Sequence, residues 1–248
     1  MIQILGIVNM PLVKPGDNIA DQIVKAAKAE SIEIQPNDII VIAQKIVSKA
    51  EGNLIDLSTI HPSSLAETIA KTSGKDPRHV EVILRESTSI VRMRGPHLIV
   101  ETSHGFICAN AGVDRSNVGK EDSVVLLPID PDKSAKMIQH RITQLTGANV
   151  GIVISDTFGR AWRNGQVNVA IGVAGLSPIV DYRGTQDMFG NQLSVTQIAM
   201  ADELASAAEL VMRKSDRIPV AIVRGVDYVK QDGSIRLLIR PREEDLFR

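Results

Sequence analysis

The stretch GIVISDTFGRAWRNG, residues 151–165, holds the sharpest grouping of reactive side chains in the chain. An apolar run ends in Ser155, Asp156 and Thr157, and Arg160 and Arg163 follow among glycines. A carboxylate and a hydroxyl at a strand's exit suit a hard cation, which prefers oxygen ligands, and guanidinium groups just beyond suit phosphate or carboxylate oxygens. The same residues would equally start a short helix, with Asp156 or Thr157 as N-cap and the arginines solvated. A second grouping, ANAGVDRSNVG at 109–119, sets Asp114, Ser116 and Asn117 behind small residues that let a ligand approach the backbone. One carboxylate from each grouping would make a two-point site for magnesium or manganese; an Asx-turn between strands is the plainer alternative at Asp114.

Two further clusters are polar enough to do chemistry. In VIAQKIVSKAEG, residues 41–52, a strand leads into Gln44, Lys45, Ser48, Lys49 and Glu51. Lysines placed there act as point charges on phosphates, or else form a solvated, mixed-charge turn. In DYRGTQDMFGNQL, residues 181–193, Asp181, Arg183 and Asp187 form a loop that would line a substrate pocket or simply lie on the surface. Cys108 falls within an apolar run and reads as core, and Trp162 reads as a packing residue.

Several common enzyme classes find no support. There is no G-x-x-x-x-G-K-[ST] loop and no G-x-G-x-x-G turn. The five histidines make no H-E-x-x-H pair, one cysteine makes no thiolate zinc site, and G-x-S-x-G is absent.

The elements that must position these clusters follow from periodicity. Short Ile- and Val-rich runs predict strands at 2–8, 39–43, 98–100, 106–109, 124–129, 151–154, 169–173, 178–180, 219–223 and 235–239. Helices are predicted from Asp17 or Asn18 to about Glu30, from Ser63 or Ser64 to about Thr72, and from Asp76-Pro77 to about Arg85. A fourth is capped by Asp132 and ends near Gly147; the longest begins at Thr196 and runs to Met212. Helices and strands mix without a steady βαβα alternation, which favours an α+β fold of mixed sheets with flanking helices. Nothing in the sequence marks a boundary between lobes, so residues 1–248 read as one unit.

The bulk numbers bound the partners. The 248 residues suffice for one large domain or two modest lobes. With 28 basic against 29 acidic side chains, no global field draws the chain to nucleic acid or to an anionic membrane. The N-terminal apolar run is short, lacks a basic flank and is broken by Pro11 and Pro15, so neither a signal peptide nor a membrane span is expected. A single cysteine suits a reducing, cytoplasmic setting.

Taken in order, the clusters resemble the coenzyme F420-0:γ-glutamyl ligase family. The resemblance spans essentially the whole chain: MPLVKPGD near the start, SKAEG at 48–52, ETSHGFICANAGVDRSNV at 101–118, ISDTFGRAWRNGQVNVAIG at 154–172, DYRGTQDMFGNQL, ADELASAAELVM at 201–212 and the terminal DLFR. It implies a two-lobed α+β monomer in an intertwined homodimer. It also implies a GTP-dependent ligase that adds L-glutamate to coenzyme F420-0, and further glutamate through a γ-linkage, by way of an acyl phosphate, releasing GDP and phosphate. At matching positions it places GTP against Met10, Pro11, Leu12, Val13, Gln44, Lys45, Lys49 and Asn117. Divalent metal, Mg2+ or Mn2+, falls at Asp114, Asp156 and Thr157, with a monovalent cation such as K+ as a further candidate. Lys49, Arg160 and Arg163 are the candidates for stabilising charge during transfer. Arg213 and Lys214 stand where relatives typically carry Gly-Gln; a lysine is no cation ligand, so no metal role falls to it. Two rivals come from other classes: a metal- and nucleotide-dependent kinase or phosphatase on another small anion, and a non-catalytic binder of a deazaflavin.

Overall fold

The computed structural model describes residues 1–115 and 122–247. In chain order the elements are β1 (Gln3–Gly6), α1 (Ile19–Ala29), β2 (Ile39–Ala43), α2 (Gln44–Ala50), β3 (Leu54–Asp56), α3 (Ser64–Ser73), α4 (Pro77–Arg85), β4 (Ser87–Arg94), β5 (His97–Thr102), β6 (Ile107–Ala109) and β7 (Ser123–Val125). They continue with α5 (Pro131–Thr146), β8 (Gly151–Arg160), β9 (Arg163–Ala174), β10 (Val180–Asp181), β11 (Gln197–Ile198), α6 (Met200–Met212) and β12 (Val220–Arg224).

The main sheet has the order β1-β12-β2-β8-β9. Only β2 and β8 run parallel; the other neighbours are antiparallel. Ile39, Ile40, Val41 and Ile42 are all fully buried, so β2 must be covered on both faces. The covering helices are α6, packed on β9, β1 and β12, and α5, packed on β9 and β8 with α1 against it. A β4-β5-β6 sheet and the β3-β7 and β10-β11 pairs complete the strands. Buried hydrophobic residues fall into two clusters, one around the main sheet and a smaller one where α3 and α4 meet β5, with Ile69, Val80, Ile83 and Leu98 at its centre. This is the mixed α+β architecture the sequence predicts.

Helix starts follow capping chemistry. Asn18, Ser63 and Asp76 each accept a backbone N–H in the first turn, and Gly74 and Gly147 close α3 and α5 in the left-handed region. Three expectations need correction. The cap of α5 is Asp130, not Asp132; Asp132 instead accepts from Val173 N at 2.8 Å, Ser234 Oγ at 2.7 Å and Ile235 N, tying the helix start to β9 and to the C-terminal segment. The last helix begins at Met200 rather than Thr196, because Gln197 and Ile198 pair with Asp181 and Val180. The run at 235–239 is not a strand: Ile235–Leu238 forms a 3-10 turn, opened by the Ser234 side chain accepting from Arg236 N. The strand β4 was missed because its burial alternates beside charged residues, so it carries no continuous apolar run.

One ion pair fastens the entrance of β2. Asp38, only 1 % exposed, takes a two-pronged bond from Arg224, Nε to Oδ1 and Nη2 to Oδ2, both 2.8 Å, and also accepts from Gln35 N at 2.8 Å. Arg224→Ala would leave that carboxylate buried and uncompensated, with an expected loss of about 3 kcal/mol in unfolding free energy. Urea denaturation of variant and wild type measures it; a loss under about 1 kcal/mol would place the pair with weak surface bridges instead.

Candidate functional site

The parallel register of β2 and β8 decides where the polar residues gather. Ala43 lies opposite Ser155, so β2 ends where its pairing with β8 ends, and Gln44-Lys45 leave the sheet beside Asp156-Thr157, which β8 carries onward. Ligands of open α/β sheets sit outside such carboxyl ends. The chain does not turn loosely after β2: residues 44–50 form the helix α2, which sets Lys45 and Lys49 one turn apart on one face. After Ser155 it is not a helix that begins, as one alternative had it, but β8 that continues to Arg160 and returns as β9 through a tight hairpin, with Trp162 in the left-handed region.

Asp156 is the electrostatic centre of this edge. Burial raises its carboxyl to about 6, with the Asp114 charge adding to the effect, while the Thr157 backbone bond and the Lys45 and Lys214 charges oppose it. Asp114 reaches the same place by another path. A backbone bridge to Val125 holds it, and Lys45 pairs with it at 2.6 Å. Cys108 is also close: burial and the Asp156 charge push its thiol up to about 12, so it is inert core, as its apolar setting predicts. Lys49 is pushed below the ordinary lysine range, first by burial and then by the Lys45 charge.

Thr157 goes elsewhere. Adjacent strand residues face opposite sides, and its hydroxyl donates to Asn168 Oδ1 at 2.7 Å while accepting from the Lys214 ammonium. Asn168 Nδ2 donates to Glu209 Oε2 at 2.9 Å, and Lys214 lies 3.7 Å from Glu209. Sequence reasoning missed Asn168 and Glu209 altogether. Asn168 was discoverable only through its register opposite Thr157, which a linear reading does not contain.

The loop with Met10, Pro11, Leu12 and Val13 is brought to the end of α2. Glu30 Oε1 accepts from Val8 N and Asn9 N at 2.8 Å, and Gly16 N donates to Ala50 O at 2.8 Å. Met10 and Val13 pack on the main core, while Pro11 and Leu12 stay exposed. Gln44 is 1 % exposed, accepts from Ser48 Oγ, and has no partner for its Nε2 among the described residues, an orphaned donor beside the lysines. Asn117 lies outside the described residues. On either side of that gap, Arg78 bonds both Asp76 and Asp122 at 2.8 Å, and Arg115 lies 3.6 Å from Asp122.

Arg160 and Arg163 are not brought to this centre. They face each other at the hairpin's tip, where Arg160 Nη2 donates to Asn164 O at 2.6 Å. That tip is about 13 Å along the strand from Asp156. The 181–193 cluster also stands apart, with Arg183 closed on Asp181 and Asp187 spent on turn amides and Asn191.

Among the described residues no three His, Cys, Asp or Glu side chains gather to hold a metal, so a three-ligand zinc centre is not built there. Magnesium and manganese need less, since one or two carboxylates plus substrate phosphates and water complete their shell. The Asp114–Asp156 pair fits that demand: both are oxygen donors, and their mutual repulsion would be relieved by a cation between them.

Comparison with known proteins shows the family. The family model described as F420-0:Gamma-glutamyl ligase matches residues 7–225. The chain is 49% identical to the Coenzyme F420:L-glutamate ligase of Methanothermobacter thermautotrophicus, covering 100% of this chain and 99% of that one. It is 45% identical to the protein of the same name from Methanocaldococcus jannaschii, over 100% and 97% of the two chains. The Archaeoglobus fulgidus protein of that name is 38% identical, over 100% and 96%. With a family match over most of its length and full-length relatives well above the level at which families are shared, the chain belongs to the F420-0:gamma-glutamyl ligase family and is an enzyme of the ligase class.

Proposed function

We propose that the chain is a GTP-dependent ligase that joins L-glutamate to coenzyme F420-0 and adds further glutamate through a γ-linkage. The observation that carries this reading is the desolvated Asp156 carboxylate, which feels the charges of Asp114, Lys45 and Lys214 where β2 ends beside β8. The relatives' shared name supports the choice of acceptor and amine.

A carboxylate is a poor acyl donor because its leaving group would be oxide. Transfer of the γ-phosphoryl of GTP to the acceptor's carboxylate gives an acyl phosphate, and the amine of glutamate then displaces phosphate, leaving GDP and phosphate as by-products. Mg2+ or Mn2+ at Asp114 and Asp156 would supply Lewis-acid stabilisation of phosphate oxygens. The chain's own residues do the rest. Lys49, destabilised as a cation by burial and by Lys45, gains from a nearby polyphosphate, and the orphaned Gln44 Nε2 offers a neutral donor beside it. The loop 10–13 then borders the nucleotide at the end of α2. Lys214, fixed on Thr157 and Glu209, contributes a built-in positive charge at the rim. Arg160 and Arg163 are assigned no part in one protomer's chemistry.

The working form in this reading is a homodimer of whole chains, residues 1–248. Met188, Phe189 and Val195 are all more than four-fifths exposed and cluster in the segment between β10 and β11, an apolar surface that suits a second copy.

Three outcomes follow from this assignment. Asp114→Asn and Asp156→Asn should each cut turnover by at least about 1000-fold while leaving the circular dichroism and melting curve intact; near-normal activity at low manganese in either variant would remove the metal role. Lys49→Ala should raise the KM for GTP about tenfold or more, with the KM for glutamate little changed, because a phosphate contact is lost. An unaltered GTP dependence would return Lys49 to the solvated face of α2. Finally, F420-0 labelled with heavy oxygen in its reacting carboxylate should deliver label into inorganic phosphate, as mass spectrometry would read. Label in GMP would instead mean activation by nucleotidyl transfer.

A further inference from the structure

The strand β9 forms one edge of the main sheet, and beside it the C-terminal segment encloses a groove of about 230 Å3. Phe106 and Phe158 form part of its wall as an edge-to-face pair with ring centroids 6.3 Å apart. Asp202 and Arg240 face the same space. Past Arg240 the groove continues into a wider hollow of about 450 Å3, bordered by Arg236 and Arg242 as well. No carboxylate among the described residues forms an ion pair with any of these three arginines. Asp202 thus lies in the narrow part, with Asp245 beside Arg240, and the wider part carries three arginines against one carboxylate, Glu101.

The narrow part lies nearest the reacting centre. Phe158 is two residues beyond Asp156 on β8, about 7 Å along the strand, and Val169, opposite Asp156 on β9, also lines the groove. Asp202 stands in the first turn of α6 and accepts from Ala170 N through Oδ1 at 2.8 Å. Burial raises its carboxyl above the ordinary range, so it is a better proton acceptor than a surface aspartate. The narrow part next to Asp202 admits a molecule of amino-acid size, whose acidic groups would reach the wider, arginine-lined part.

We propose that this groove seats the amino-acid substrate, with its carboxylates on Arg240, Arg236 and Arg242 and its amine at Asp202, which takes the first proton. The assignment rests on the ligase reading above. Its polarity matches what that reaction needs: the nucleophilic nitrogen must face the activated acyl group near Asp156, and the two carboxylates of glutamate must point away from it. Glutamate enters as an ammonium with three protons on nitrogen, and the amide product keeps one. The first proton passes to the Asp202 carboxylate, which frees the lone pair. That pair forms the N–C bond at the acyl phosphate carbon, the C–O bond to phosphate breaks, and the second proton leaves with the phosphate. Asp202 returns its proton to solvent.

The test compares two nucleophiles in the intact enzyme supplied with GTP and F420-0. Hydroxylamine is already neutral near pH 7 and carries no carboxylate, so it traps an acyl phosphate as the hydroxamate without help from either end of the groove. Asp202→Asn keeps an oxygen acceptor for Ala170 N and removes the charge; glutamate turnover should fall on the order of 100-fold while hydroxamate forms at the wild-type rate. Arg240→Ala should raise the KM for glutamate about tenfold, leaving the KM for GTP and the hydroxylamine rate as they were. If both nucleophiles slow together in Asp202→Asn, or if the KM for glutamate is unmoved in Arg240→Ala, the groove is not the amino-acid site, and the ligase reading still stands. Absence of hydroxamate from the wild-type enzyme would instead overturn the acyl-phosphate reading, and this assignment with it.

Discussion

Parallel pairing of β2 with β8 is the constraint on which the rest of the molecule depends. In an otherwise antiparallel sheet it brings the exit of β2 beside the middle of β8, at Asp156. Antiparallel neighbours would send the segments after Ala43 and Ser155 to opposite ends of the sheet. The pairing needs a long crossover between the strands, and residues 44–150 supply it, carrying the second hydrophobic cluster and Asp114 with them. The Asp38–Arg224 pair and the fully buried Ile39–Ile42 run hold β2 in that register. A slip of one residue would turn its whole buried set over and would move Lys45 away from Asp114.

The electrostatics of the edge follow from burial more than from composition. The chain's formal charge is −1, so no long-range field concentrates anions there. Instead a few charges are set in a desolvated corner where each acts strongly. Asp156 is half-buried and raised to about 6, Lys49 is pushed down by burial and by the Lys45 charge, and Lys45 pairs with Asp114. A phosphate would lower the cost of the charge on Lys49, and a cation the cost of the charge on Asp156. On the other side of β8 the Thr157–Asn168–Glu209–Lys214 network is satisfied within itself.

Much of this was legible in the sequence, and the failures have physical causes. Strands with continuous apolar runs, such as β2, β8 and β12, are visible because a doubly covered strand has no polar face. Helices with a side-chain cap and a closing glycine, such as α3, are visible for similar local reasons. The 3-10 turn at Ile235–Leu238 was taken for a strand because its apolar residues bury against the main cluster without any partner strand, and periodicity cannot report a missing partner. The hairpin of β8 and β9 was half read: its apolar start is plain, but its polar continuation through Asp156 to Arg160 is held by cross-strand pairing with β9. Asp114 and Asp156 were found from residue type and family pattern. Asn168, Glu209 and Asp202 were not, because each acquires its meaning only from a neighbour distant in sequence.

Asp132 ends up holding three things at once: the first turn of α5, the β9 amide of Val173, and the start of the C-terminal segment through Ser234 and Ile235. The arginines that border the edge groove all lie downstream of that attachment and none belongs to a strand. The molecule is thus divided, in its tolerance of change, at a single carboxylate. Upstream lies a sheet in which almost any replacement disturbs packing on both faces. Downstream lies a short strap, in which Ile235, Leu238 and Ile239 pack on the main cluster and Arg236, Arg240 and Arg242 border the groove. Alterations confined to these arginines would change the charge of the groove while the scaffold that brings Asp114 near Asp156 stays as it is, so this surface can drift without the fold being put at risk.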